Sequence, residues 1–189
     1  MTDKKNVRHK IDFKSKSEYF YNFVISYFLI NIILTTTLFY FFYNASFLIF
    51  IKVLLSVFLF TSIFYLIPLI VIFRNYMKYN EHLELIIEDS DSYSVNLKNN
   101  LTETLTPLME SDIKLINSNL SYTLYDNRLR WFYWDELFYY ELVLKTNERI
   151  FISCLLCDDI FEHIPNVKNQ RIKRIFPIIK TDKTVGNNS

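Results

Sequence analysis

The chain has 189 residues and a formal charge of +1, with 51% hydrophobic and 18% aromatic side chains and a single glycine, Gly186. So little glycine excludes the phosphate-cradling loops of nucleotide-binding folds, which need close backbone approach or positive φ. The only cysteines, Cys154 and Cys157, form one Cys-Leu-Leu-Cys step, which without a second such step predicts two reduced, buried or half-buried thiols.

Charge is distributed unevenly along the chain. Residues 1–18 carry Lys4, Lys5, Arg8, Lys10, Lys14 and Lys16 against Asp3, Asp12 and Glu18, so this segment is basic. From Glu81 to Asp182, acids outnumber bases seventeen to eleven, which argues against a nucleic-acid surface there. The run Lys168 to Arg174 is the exception.

Between Tyr19 and Phe73 the only formally charged residue is Lys52. Such a tract is too long for one membrane span and suits two, at about 20 apolar residues each. The polar cluster Asn44-Ala45-Ser46 marks the turn, giving spans of about 21–43 and 47–73 in a helical hairpin. No secretory leader is expected, because the apolar tract starts late and lacks a small-residue cleavage site. Lys52 lies near the turn end, where its stem can snorkel to the interface. Pro68 predicts a kink in the second helix, and Asn31 with Thr35, Thr36 and Thr37 gives the first a polar edge for its partner. Basic residues flank the hairpin on the N-terminal side and, as Arg74 and Lys78, after the second span, which predicts that both termini are cytoplasmic. The basic N-terminal segment is then expected to lie against anionic headgroups.

Beyond the hairpin, Tyr93, Val95 and Leu97 alternate with polar neighbours in the period of a half-buried strand. Pro107 restricts residues 99–110 to a loop or an edge strand. Short runs over 113–116, 120–125, 129–134, 137–144 and 150–155, separated by polar turns, predict an antiparallel meander. Residues 158–164 and 168–176 are candidate helices, broken by Pro165 and Pro177.

The ring-rich stretch 128–144 carries Arg128, Arg130, Asp135, Glu136 and Glu141, which argues against a membrane helix. From Phe138, the even positions Phe138, Tyr140, Leu142 and Leu144 predict a buried face, while Tyr139 and Glu141 predict a wet one. Trp131, Phe132, Tyr133 and Trp134 place rings on both faces of the preceding strand. They are expected to fill a core or meet the membrane interface, since base-stacking platforms pair their rings with a basic groove.

The layout resembles the YcxB-like group of bacterial two-span membrane proteins, which carry a small cytoplasmic domain related to the pleckstrin-homology (PH) fold. The resemblance rests on Ile11-Asp12-Phe13 and Ser17-Glu18-Tyr19 leading into the first span, and on the strand-turn-strand Leu129 to Leu137 with its Trp134-Asp135-Glu136-Leu137 step. It departs from the group where Ile152-Ser153-Cys154 replaces an Ile-Pro step. The resemblance implies an α+β domain of two packed sheets closed by a C-terminal helix, with no catalytic residues.

No convergent catalytic set is legible. His82 beside Glu81 and Glu84 reads as an interfacial helix or strand end. His9 falls in the basic segment. Cys157, Asp158, Asp159, Glu162 and His163 form the densest polar cluster; acids at the start of a short helix would complement its dipole, with Asp158 as a cap, and pairing of Asp159 with His163 is the competing use. No metal, no cofactor and no enzymatic activity are expected. Candidate lipid or partner contacts are Lys168, Arg171, Lys173, Arg174, Trp131 and Trp134.

The expected organisation is a basic segment (1–18), a two-helix transmembrane hairpin (19–78), a PH-like β domain (79–180) and a tail (181–189). Its expected role is a protein or lipid interaction module at the bacterial inner membrane. The partners are then the bilayer and a protein, not nucleic acid. The competing role is an immunity-type protein that neutralises a toxin at the membrane.

Overall fold

The computed structural model describes residues 7–11, 13–41, 46–88, 94–129 and 133–180. A short strand, β1 (Val7–Lys10), precedes helix α1 (Phe13–Phe41) and helix α2 (Phe47–Thr61). A π-helical turn, Ser62–Leu66, then leads into α3 (Ile67–Asn80). The irregular turn falls just before Pro68, whose ring would collide with the carbonyl four residues back and which has no N–H to give it. Widening the preceding turn removes the conflict.

Two helical stretches are long and apolar enough to cross a membrane, Tyr21–Phe41 and Phe47–Asn80. They run antiparallel, joined by side-chain hydrogen bonds in which falling numbers on one meet rising numbers on the other. Thr61 donates to Asn31 Oδ1 at 2.9 Å, Tyr27 and Ser62 share a hydroxyl bond of 2.8 Å, and Ser26 and Tyr65 one of 2.7 Å. Asn31 of the predicted polar edge is thus a packing residue, and bonds of this kind are worth about 0.6–1.7 kcal/mol each. Thr36 and Thr37 instead bond back to carbonyls of their own helix.

The second stretch is 34 residues long, about 51 Å at 1.5 Å per residue, whereas a hydrocarbon core is about 30 Å thick. The excess is the length of α3, which is a working part of the β domain. Ile72, Tyr76 and Asn80 are fully buried.

The strands form two sheets. The first orders β1, β2 (Leu83–Glu88), β3 (Ser94–Asn99) and β4 (Thr104–Met109), all antiparallel. Pro107 sits on the edge strand β4, as its missing N–H requires. The second orders β7 (Arg149–Ser153), β6 (Phe138–Leu144), β5 (Ile113–Ser121) and β8 (Asn169–Arg174). Here only β5 and β8 are parallel. Leu85 and Leu108 of the first sheet join Ile116, Leu142, Ile152 and Ile160 in one buried core.

Four expectations need correction. Residues 158–164 contain only a single 3-10 turn, Ile160–Glu162, and residues 169–174 are strand β8, so no C-terminal helix closes the fold among the described residues. The helix packed on the sheet is α3, supplied by the continuation of the second apolar stretch. It lies on the face of β6 predicted to be wet, and Tyr139 and Glu141 are buried there. Tyr139 packs edge-on against Tyr76 at 6.3 Å, and Glu141 accepts from Arg149 at 2.9 Å and Asn117 at 3.0 Å.

The third correction concerns Asn117-Ser118-Asn119, read as a turn but lying inside β5. Neighbouring strands satisfy these polar side chains laterally: Asn117 meets Glu141, Ser118 donates to Asn169, and Asn119 accepts from Arg174. Lateral bonds of this kind let a polar triplet occupy a central strand, with Asn117 Oδ1 the one side-chain atom of the three residues left buried without a partner among the described residues. The fourth is that residues 122–125 form a helical turn, α4 (Tyr122–Tyr125), and that Tyr133–Glu136 is a 3-10 turn. The predicted strand 129–134 is not seen at its described ends, and residues 130–132 lie outside the described residues.

The N-terminal segment also gains a role that its charge did not suggest. Val7–Lys10 pairs with β2, Arg8 opposite Ile86 and His9 opposite Leu85. The helices are thus inserted between two adjacent strands of one sheet.

Candidate functional site

The turn α4 is built by Ser121, whose Oγ accepts from Leu124 N at 3.2 Å as an N-cap. Asn127 follows with φ of 52°, a left-handed turn conformation that asparagine tolerates. This sets Tyr122 and Tyr125 beside β8. Successive β8 side chains point to opposite faces, so the four cations of the basic run do not share one helical face. Lys173 reaches the Asp126 carboxylate at 2.7 and 2.9 Å and stands 3.5 Å over the Tyr122 ring. The Asp126 bond raises the Lys173 ammonium above its ordinary pKa. Arg171 donates to the carbonyls of Leu124 and Tyr125 at 3.1 Å and lies over the Tyr125 ring at 5.3 Å. Arg174, on the other face, donates to Asn119 at 2.9 Å. Lys168 is exposed at the start of the strand.

Trp134 is half-buried, its ring 5.0 Å from that of Phe176. Trp131 lies outside the described residues. Around the cations the protein exposes Leu129, Ile175 and Phe176, at 77%, 73% and 42%. The structure therefore joins the predicted basic run and Trp134 to apolar tips that sequence reasoning did not single out. The available signal was the step Arg174-Ile175-Phe176, where two large apolar side chains follow directly on the cations.

Helix α3 locates this patch. Tyr76 donates to Pro177 O at 2.8 Å, and Asn75 brackets Ile179, accepting from its N at 2.8 Å and donating to its O at 3.1 Å. Asn80, one turn further on, meets β7 at Phe151 and Ser153. The 175–179 segment thus sits about 6 Å nearer the apolar helices than β7 does, at 1.5 Å per residue along α3. The combination of net positive charge, aromatic rings and exposed aliphatic tips suits an anionic, partly apolar surface.

The second cluster is at Cys157, Asp159 and His163. Cys157 is buried, and burial, then Asp158, pushes its thiol up to about 12. Such a thiol is not a nucleophile near neutral pH. Asp159 caps the 3-10 turn by accepting from Phe161 N at 3.0 Å. His9 of β1 lies beside this loop, its ring centroid 5.5 Å from that of His163. Burial and the neighbouring His163 lower the His9 pKa, with Asp158 opposing. His82 is exposed beside α3.

Two sheets sharing one core, with cations and rings gathered at the end of β8, define a small β domain. The chain matches the PH domain family over residues 8–160 and belongs to that family. The matched range begins inside β1 and runs through both apolar helices, consistent with one domain that contains them as an insertion. No curated protein and no solved structure matches the chain. PH domains are in general non-catalytic modules that bind lipids or proteins.

Proposed function

We propose that this chain is a two-span bacterial inner-membrane protein of the YcxB-like kind, whose PH domain works as a lipid or protein interaction module on the cytoplasmic side. The observation that carries the reading is the outward apolar surface of the long helices. Only 11% of the most apolar stretch in the first and 6% in the second is buried, and Ile32, Leu55 and Phe60 stand 59%, 61% and 62% exposed. Soluble monomers rarely expose contiguous apolar patches above a few hundred Å². The flanking basic residues support a cytoplasmic placement of both ends. Reporter fusions after residues 45 and 189 are expected to report opposite compartments, and agreement between them would overturn the hairpin.

Within that frame, the end of β8 and the segment after it, with Arg171 and Lys173 on one face, Arg174 on the other and Trp134 beside Phe176, form the rim turned toward the bilayer, because the 175–179 segment packs on α3 nearer the spans than β7 does. Each cation near an anionic surface contributes about 1 kcal/mol, less what Asp126 withdraws. Lys168 lies at the other end of β8 and is exposed. The full chain in nanodiscs is expected to show slower amide exchange over 171–176 with anionic than with neutral lipid, and Ile175→Ser with Phe176→Ser should abolish the difference. Equal exchange in both lipids would remove the lipid role and leave the protein-binding one. The full chain is the proper sample, because a fragment starting at residue 79 would lack β1.

A further inference from the structure

The strand register aims His9 inward. His9 is paired directly with Leu85 across β1 and β2, and directly opposed residues in a sheet share a face. Leu85 is fully buried in the inter-sheet core, so the His9 ring turns toward the second sheet at the open edge of the first. There it meets the loop after β7, which carries Cys157 and, past the Ile160–Glu162 turn, His163. One ligand atom from each of His9, Cys157 and His163 can be chosen so that all lie within 4.8 Å of one another. The three residues come from opposite ends of the chain.

Ordinary packing leaves this cluster unexplained. His9 Nε2 is buried with no hydrogen-bond partner, an orphaned polar atom of the kind that costs stability unless something fills its coordination. Cys157 is 2% exposed and no disulfide partner engages it. Two imidazoles and one sulfur form the donor set of a borderline-soft transition metal, not of calcium or magnesium, which take oxygen.

We propose that His9, Cys157 and His163 bind one zinc-class divalent ion, which clips β1 to the loop after β7 and so fastens the two sheets at their shared edge. Around a four-coordinate zinc with bonds of about 2.0–2.3 Å, ligand atoms sit about 3.3–3.8 Å apart. Closure therefore requires a contraction of about 1 Å, within reach of side-chain rotation by the two half-buried imidazoles. Binding displaces the Cys157 thiol proton to solvent, leaving a thiolate on the metal, and both imidazoles ligate as neutral rings. Three protein ligands leave a fourth position for water. Without a metal, β1 is held by its four-residue pairing with β2, a 4.0 Å contact of exposed Arg8 with half-buried Glu84 and the burial of the adjoining Ile11, so the clip would add an anchor to the second sheet.

The test uses the full chain in detergent, stripped with chelator and titrated with Co²⁺ as the spectroscopic probe. One equivalent is expected to bind, with the d–d bands of a four-coordinate site and a thiolate-to-metal charge-transfer band, and Zn²⁺ should displace it. Cys157→Ser should abolish the charge-transfer band while Cys154→Ser preserves it. His9→Gln should weaken affinity by more than about tenfold, since changes in a mere supporting shell already cost 10- to 100-fold. His9 lies on a half-exposed edge strand, so this variant decides the matter even if loss of Cys157 perturbs the fold. Failure to bind Co²⁺, a band that survives Cys157→Ser, or full affinity in His9→Gln would each overturn the proposal. None of these outcomes bears on the lipid or protein partner of the patch.

Discussion

Tyr76→Ala is expected to remove about 3–5 kcal/mol of domain stability, the range for emptying a large aromatic site in a core. Tyr76 is fully buried where α3 meets the second sheet. Its ring packs edge-on against Tyr139, and its hydroxyl donates to Pro177 O at 2.8 Å, holding the segment after β8 against the helix. Tyr76→Phe keeps the ring and loses only the hydroxyl, so about 1–2 kcal/mol should go, from the unpaired carbonyl of Pro177. Thermal unfolding of the detergent-solubilised full chain, followed by near-UV circular dichroism, separates the two variants. Equal losses would mean that the ring contributes no packing and that α3 is not a layer of the domain.

Asn80→Ala should cost a comparable amount for a different reason. Asn80 is fully buried and spans two backbone groups of β7, donating to Phe151 O and accepting from Ser153 N, both at 2.7 Å. Truncation leaves a buried C=O and a buried N–H without partners, at about 1–3 kcal/mol each. Asn80→Asp supplies the acceptor but no donor, and it buries a carboxylate. Burial raises the folded pKa of that carboxyl above its unfolded value of about 3.9. The sign follows directly. The defect is largest where the carboxyl is ionised in both states, and it shrinks as pH falls through the raised folded pKa, because the protonated acid can donate to Phe151 O as the amide did. Stability of Asn80→Asp relative to the parent should therefore improve on acidification from pH 7 to 5. A gap that stays constant or widens would count against this geometry.

Much of the secondary structure was legible because it is locally encoded. The apolar tract with its single lysine predicted two long helices, Pro107 a loop or an edge strand, of which the edge strand is seen, and the runs 137–144 and 150–155 predicted β6 and β7 within a residue or two. What stayed hidden was set by distant partners. Asn117-Ser118-Asn119 looks like a turn until Glu141, Asn169 and Arg174 are brought beside it. Asn169 to Arg174 has no apolar period to betray a strand, because β8 lies on the edge of its sheet, largely exposed, with α4 alongside. Tyr139 and Glu141 looked solvated because nothing in their own segment announces that Tyr76 of α3 packs on the one and that Asn117 and Arg149 enclose the other. The same holds for the candidate sites: the cations and Trp134 stand out by local chemistry, whereas Ile175 and Phe176 join them only because Tyr76 and Asn75 hold the 175–179 segment against α3. His9 could not be joined to Cys157 and His163 without the pairing of β1 with β2.

Placing β1 ahead of the helices and β2 behind them imposes an order of events during synthesis. The first strand leaves the ribosome early yet has no neighbour until everything from Phe13 to Asn80 has been made. In the two-span reading, that interval includes delivery of both helices into lipid. In that reading, a chain in which only one of the two helices crossed would strand Val7–Lys10 on the far side from Leu83–Glu88, leaving the sheet a strand short. In the same reading, completion of the first sheet would report that both helices had crossed.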